Sequence, residues 1–236
     1  MKKLKVVVVG ETCVDKFIYC KINRLSPEAP VPVLIPTHTE VNPGMSGNTC
    51  ANIKALDPSS QVIHFSNLKQ ITKTRYVEGK TNHMFLRVDE GDSKIESFKW
   101  SNDYKHFIKE ADVVIVSDYD KGYLTYEDIQ KIGQKSKLSF IDTKKTIGSG
   151  DYFKDYTFVK MNEEEWDNCV SKGAVYSDWK DNLIVTMSER GCMYDEKRYP
   201  VDNTIEVRDL SGAGDTWMAS FVMKYVETSV IDTSIM

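Results

Sequence analysis

From Asp103 onward the chain alternates between two kinds of pattern. A helical stretch to Glu110 precedes the β-branched run at 113–116. Residues 125–135 then read as helix, 138–141 and 157–159 as strands, 162–170 as helix and 183–185 as strand. Parallel strands need long crossovers, usually helices, so this alternation restricts the chain to an α/β fold with a mostly parallel sheet and helices on both faces. The valine-rich run at 4–9, closed by Gly10, has the unbroken apolar character of a strand buried on both faces and opens the same sheet.

Each of these strands ends in polar residues. Ser117 and Asp118 follow one, Asp142 and Lys144 the next, then Lys160 and Asn162, then Thr186 and Ser188; Glu11 and Asp15 follow the opening strand. In open α/β sheets ligands bind beyond the carboxyl ends of the strands, so these tips converge on one rim. Each alone fits a turn or cap equally well: Asp15 as a solvated turn carboxylate, and Asn162 with Glu165 as a capping box.

The segment Asp209-Leu210-Ser211-Gly212-Ala213-Gly214-Asp215-Thr216-Trp217 leads into an apolar helical run through Val226. Two glycines at a helix start leave backbone N–H groups free to hold an anion, and Asp215 in the first turn is placed to take a proton from a hydroxyl. This is a phosphoryl-transfer arrangement. A dinucleotide fingerprint would need a third glycine, and a Walker A loop ending in Gly79-Lys80-Thr81 would need a glycine where Thr74 stands. Upstream, Pro43-Gly44-Met45-Ser46-Gly47 leads into a short helix stopped at Asp57-Pro58, with Asn48 and Asn52 four residues apart on one face. A capped surface helix fits that stretch as well.

Residues 16–36 and 81–90 stand apart from the alternation. They are short β-rich pieces, and Pro30, Pro32 and Pro36 argue for an edge or outlying sheet, a small β lid that covers a pocket or pairs between subunits. The 236 residues are read as one domain, with 41% hydrophobic and 28% charged residues. A net charge of −4 gives no electrostatic case for nucleic acid, and no stretch is apolar enough for a membrane span. Five cysteines without a C-x-x-C pair suit free thiols in the cytoplasm, the opening residues do not lead into a signal-peptide core, and four scattered histidines do not form a zinc site.

Taken in order, Val9-Gly10-Glu11 through Asp15-Lys16-Phe17, Arg24 to Val33, Pro43-Gly44 through Asn48 and Asn52, Ser117-Asp118-Tyr119 with Lys121-Gly122, Asp142 with Lys144, Asn162 with Glu165, and Asp209 to Trp217 resemble the ribokinase-like, or phosphofructokinase-B, carbohydrate kinases. The stretch Ser26-Pro27-Glu28-Ala29-Pro30-Val31-Pro32-Val33 points within them to the heptose-7-phosphate kinase branch. The resemblance implies a ribokinase-like fold and transfer of the γ-phosphoryl group of magnesium-ATP to a sugar phosphate. By it, Asp215 is the general base, and Gly212, Ala213 and Gly214 form the anion hole. Asp15, Gly44 and Asn48 hold the sugar; Lys144, Asn162, Thr186 and Gly191 hold the nucleotide; Glu165 lies on the magnesium side; and the lid is a candidate homodimer contact. Relative to the family, Met45, Ser188 and Trp217 depart from the usual residues, and the stretch from Leu56 to the strand at 81 lacks a β/α unit. With the chain ending soon after Asp215, the expectation is a nucleotide pocket open on one side. The alternative is a shortened, non-catalytic sugar- or nucleotide-binding protein on the same scaffold.

Overall fold

A computed structural model of the protein describes residues 3–93, 95–148, 151–201 and 211–235. In chain order its elements are β1 (Lys5–Gly10), β2 (Thr12–Leu25), β3 (Pro32–Met45), α1 (Ser46–Leu56), β4 (Gln61–Phe65), β5 (Ile71–Glu78), β6 (Met84–Glu90), α2 (Asn102–Glu110), β7 (Val113–Asp118), α3 (Tyr126–Lys135), β8 (Ser139–Thr143), β9 (Phe158–Asn162), α4 (Glu163–Ser171), β10 (Leu183–Thr186), β11 (Cys192–Tyr194), β12 (Lys197–Tyr199), α5 (Ala213–Thr228) and α6 (Ile231–Ile235).

The larger sheet has the order β12-β11-β10-β9-β8-β7-β1-β4. It is parallel from β4 to β10, with β11 and β12 added antiparallel at one edge. The period of two along β1 explains why helices cover both faces. Val6 and Val8 pack with Cys50 and Ile53 of α1 and Met218 and Phe221 of α5, whereas Val7 and Val9 pack with Ile108 of α2 and Ile129 and Ile132 of α3. All four valines are essentially inaccessible, and each is worth about 1.5–3 kcal/mol relative to exposure. The helix starts are fixed by side chains: Ser101 caps α2, and the Thr125/Asp128 and Asn162/Glu165 pairs form capping boxes on α3 and α4.

The smaller sheet has the order β3-β2-β5-β6, with β2 and β5 parallel and the outer pairs antiparallel. Here the structure corrects the sequence reading in two places. The two short pieces expected within 16–36 are parts of a hairpin whose strands run 14 residues each. The strand expected at 81–90 does not pair with that hairpin, because β5 lies between them. The stretch between Leu56 and residue 81, read as lacking a β/α unit, contains two strands, β4 and β5, and no helix. Polar residues hid β5 in the sequence: Lys73, Thr74 and Arg75 are all buried in it, Arg75 paired with Asp15 and Lys73 near the Tyr119 ring. All five cysteines are buried and free, and no described helix is long and apolar enough to cross a membrane.

Gly10, the last residue of β1, pairs with Ser117 of β7 so closely that a Cβ there would stand 1.9 Å from the Ser117 carbonyl oxygen. Gly10→Ala is therefore expected to lower the unfolding free energy by about 3 kcal/mol, because the added methyl forces backbone to move. A urea midpoint equal to that of the wild type would contradict this account.

Candidate active site

Helix α5 begins just after Gly212, whose φ of +76° is the left-handed region that glycine tolerates. The Thr216 N–H makes the first intrahelical bond, 2.9 Å to the Gly212 carbonyl, so the N–H groups of Ala213 and Gly214 precede the ladder and can face an anion. Asp209 and Leu210, which begin this motif in the sequence, lie outside the described residues. Asp215 is 3% exposed. Its Oδ1 accepts a hydrogen bond from the Tyr119 hydroxyl at 2.8 Å and its Oδ2 one from Asn48 Nδ2 at 3.2 Å. Burial raises the carboxyl to about 6, opposed by those two hydrogen bonds and by Lys160, and reinforced by Asp142. Such a group is ionised at neutral pH but close enough to that point to accept a proton, as a general base requires.

Asn48 comes from α1, and the α1–α5 contact is a ladder of amides. Its Nδ2 also donates to the Gly212 carbonyl at 3.4 Å, while Asn52 Nδ2 donates to Asn48 Oδ1 at 3.3 Å and to Thr216 Oγ1 at 3.2 Å. Gly212 makes this approach possible, since a Cβ there would stand 2.3 Å from Asn48 Nδ2. Gly214 is crowded from the other side: a Cβ would be 3.2 Å from Lys160 Nζ. Lys160, on β9, is buried and paired with Asp142 of β8 at 2.8 Å. An ammonium beside the helix N-terminus adds positive potential where a phosphoryl group would gain charge. The sequence placed Lys160 on the rim but assigned it no role.

Tyr119 sits on the turn after β7, and Glu11 holds that turn. Fully buried at the end of β1, Glu11 accepts the backbone N–H groups of Tyr119 at 2.9 Å, Lys121 at 3.0 Å and Tyr123 at 3.2 Å. Below it, Asp118 accepts from Thr143 Oγ1 at 2.6 Å and faces Lys145, which also pairs with Asp120. Burial first, and Glu11 second, push Asp118 up to about 6. In the sequence Glu11 and Tyr119 stood within the resembling motifs without an assigned role, and Lys145 was not singled out.

Asp15 of β2 and Gly44 of β3 meet across the hairpin, where a Cβ on Gly44 would lie 2.2 Å from Asp15 Oδ2. Arg75 of β5, which the sequence reading missed, donates to Asp15 Oδ1 at 2.5 Å and lies over the Phe17 ring. The Cys13 thiol connects this corner to the helix N-terminus. Burial and then Asp15 push it up to about 12, against Lys73 and Arg75, with Asp215 adding to the rise. The Tyr119 ring has Lys73 Nζ at 5.7 Å and Lys144 Nζ at 5.6 Å from its centroid. The sugar-side and nucleotide-side candidates therefore share one rim.

On the nucleotide side Lys144 Nζ pairs with Glu165 Oε1 at 2.9 Å, and Glu165 Oε2 accepts the Asn162 N–H at 2.8 Å. Thr186 lies opposite Asn162 in the β9–β10 register, its hydroxyl donating to the Met161 carbonyl at 3.3 Å. Gly191 is required by the sheet itself: with φ +83°, a Cβ there would stand 1.9 Å from the Tyr199 carbonyl oxygen. Arg190 pairs with Glu163 nearby. With both Glu165 oxygens engaged and no cluster of three metal-ligating side chains among the described residues, this donor set fits a hydrated magnesium held through its waters and nucleotide phosphates, not a closed protein cage.

The pattern of the pfkB family carbohydrate kinases matches residues 58–235. The chain is 29% identical over 263 residues to the bifunctional protein HldE of a Nitratiruptor species, covering 92% of this chain and 56% of that protein, so it spans little more than half the length of that relative. Among solved structures, Arabidopsis thaliana ribokinase complexed with ribose and ATP superposes with a TM-score of 0.65 at 14% identity, covering 99% of this chain and 89% of the other. Escherichia coli phosphofructokinase-2 in complex with fructose-6-phosphate gives a TM-score of 0.66 at 13% identity, with coverages of 100% and 90%. These two share the ribokinase-like fold, with its mostly parallel sheet and flanking helices. With a family match over residues 58–235, about three quarters of its length, the chain belongs to the pfkB family of carbohydrate kinases.

Proposed function

We propose that this chain transfers the γ-phosphoryl group of magnesium-ATP to a hydroxyl of a sugar phosphate, with Asp215 as general base. The observation that carries this reading is the buried carboxylate of Asp215, raised to about 6, one residue beyond the N–H groups of Ala213 and Gly214 at the helix start. Asp215 takes the hydroxyl proton as the oxygen forms its bond to the γ-phosphorus. The bond from that phosphorus to the β–γ bridging oxygen breaks, and ADP leaves with the electron pair. Backbone N–H groups of Gly212, Ala213 and Gly214, with Lys160 beside them, stabilise the charge on the transferred group. Glu165 would hold magnesium, which would supply neutralisation of phosphate charge when bound; Lys144, Asn162, Thr186 and Gly191 form the surrounding nucleotide side.

A phosphorylated acceptor is supported by the inner face of the lid. The register places Asp15 opposite Lys73 and Phe17 opposite Arg75, with Arg87 next across the sheet, so these side chains share the face that bears Asp15. Arg75 and Arg87 are paired with Asp15 and Asp89. Lys73, 9% exposed, forms no ion pair among the described residues. Its register neighbours Asp15 and Asp89 are engaged by Arg75 and Arg87, so an anionic ligand group would relieve the cost of burying this ammonium. Asp15, Gly44 and Asn48 then hold hydroxyls of the sugar. Heptose 7-phosphate, phosphorylated at its anomeric hydroxyl, is the acceptor favoured by the sequence resemblance, and the cytoplasm, where ATP and free thiols coexist, is the matching compartment. The reading extends to a homodimer through the lid, whose other face exposes Val41, Leu86 and Val88. Light scattering that gives the mass of a monomer at micromolar concentration would remove this last element.

Phosphorus NMR of the protein with magnesium-ATP and heptose 7-phosphate tests the main claim: sugar-dependent ADP formation is expected, and its absence sinks the assignment. Asp215→Asn is expected to lower kcat by ~10²–10⁴-fold. Because the base must be ionised, kcat/KM is expected to hold above pH 7 and to fall as pH drops through about 6, the value to which burial raises Asp215. Lys73→Ala is expected to raise the KM for the sugar phosphate roughly 10- to 100-fold, the loss of one charge-assisted hydrogen bond, with the KM for ATP unchanged. An equal rise in both constants would argue against a phosphate subsite at Lys73.

A further inference from the structure

We infer that Tyr119 is a positioning residue whose hydroxyl keeps Asp215 ionised, an inference that rests on Asp215 being the base. The bond is short, 2.8 Å from the part-buried Tyr119 hydroxyl to Oδ1 of the buried Asp215 carboxylate. The phenol cannot turn away readily. Glu11 Oε2 fixes its backbone N–H, Glu11 Oε1 fixes the next two alternate N–H groups, and ammonium groups from the lid and from the nucleotide side stand near its ring. Burial, followed by the charge of Asp215, raises the phenol's own pKa, so it remains a donor throughout the range in which Asp215 titrates.

A phenol that stays protonated discriminates between the two states of its partner, because its O–H is a far better donor to a carboxylate than its oxygen is an acceptor from a carboxylic acid. An ionised carboxylate accepts the bond well and a protonated one less well, so the contact lowers the proton affinity of Asp215 against the upward push of burial. The other titratable groups facing Asp215 are Asp142, Lys160, Lys144 and Cys13. Lys160 is engaged by Asp142 and Lys144 by Glu165, and the Cys13 thiol stays protonated, pushed up to about 12 mainly by burial. Direct hydrogen bonds to the carboxylate come from Tyr119 and from Asn48, and Asn48 divides its amide between Asp215 and the Gly212 carbonyl. Tyr119 is thus the stronger of the two anchors, and it is mounted on the turn between the sugar and nucleotide sides.

The test removes the hydroxyl and keeps the ring. In protein carrying carbon-13 in its aspartate carboxyls, Tyr119→Phe is expected to move the titration of Asp215 up by about one pH unit, a tenfold change in its acid constant. Asp215→Asn identifies the resonance. The acid limb of kcat/KM for heptose 7-phosphate is expected to shift by the same amount, while rates above neutrality approach those of the wild type. Difluorotyrosine at position 119, a stronger donor of nearly the same shape, is expected to move the titration downward and serves if Tyr119→Phe does not fold. An Asp215 titration that neither replacement moves overturns the inference, as does a loss of rate uniform across pH, the signature of a merely structural role. Failure of the base reading looks different: Asp215→Asn would then turn over like the wild type, whatever Tyr119 does to the titration.

Discussion

A carboxylate taken out of water must be given back its hydrogen bonds, and Glu11 receives three of them from one turn of backbone. That requirement ties the end of β1 to the turn after β7, and much of the rim follows from it. The turn carries Tyr119, Tyr119 reaches Asp215, and Asp215 reaches Asn48 on α1. Three crossovers distant in sequence are thereby held in register by polar contacts that tolerate little displacement, over a core of alternating valines whose packing is non-directional. The core decides that the sheet forms; the buried carboxylates decide where its loops stand.

The rim is also a set of paired charges. Asp15 with Arg75, Asp142 with Lys160, Lys145 with Asp118 and Asp120, Lys144 with Glu165, and Arg190 with Glu163 bring cations to the carboxyl ends of the strands, each with a carboxylate partner. Such a site is preorganised, because the side chains that would meet phosphate are already held in place. It is also discriminating, since an incoming phosphate must compete with these carboxylates or engage a cation that lacks one. Among the described residues Lys73 makes no ion pair, its neighbours Asp15 and Asp89 being held by Arg75 and Arg87, and its position on the lid face that bears Asp15 is what directs the acceptor reading toward a phosphorylated sugar.

Legibility in the sequence followed the physical origin of each element. The strands at 4–9, 113–116, 138–141, 157–159 and 183–185 are visible because burial on both faces demands apolar runs, and they coincide with β1, β7, β8, β9 and β10, with ends that differ by at most a few residues. The capping residues of α3 and α4 are visible because capping is local. β5 is not visible, since its central residues are Lys-Thr-Arg and their burial depends on partners from β2 and from the turn after β7. β11 and β12, three residues each, are too short for any period to register. Of the candidate site, the helix N-terminus with Asp215, the Asn48–Asn52 face and the Asn162–Glu165 pair could be read from spacing. Glu11, Tyr119, Arg75 and Lys160 carry no pattern of their own; they acquire meaning through contacts with segments distant in sequence, 60 positions for Arg75 and as many as 112 for Glu11.

By itself the sequence determined the α/β alternation, the polar rim and the glycine turn before Asp215, all set by interactions within a few residues or by the demand for apolar burial. Only the tertiary structure decided which rim residues touch. Whether a carboxylate is a solvated cap, an ion-pair partner or a buried base near neutrality depends on water excluded and donors supplied by distant segments. For Asp215 those segments are α1 and the turn after β7, which no local pattern could have brought to it.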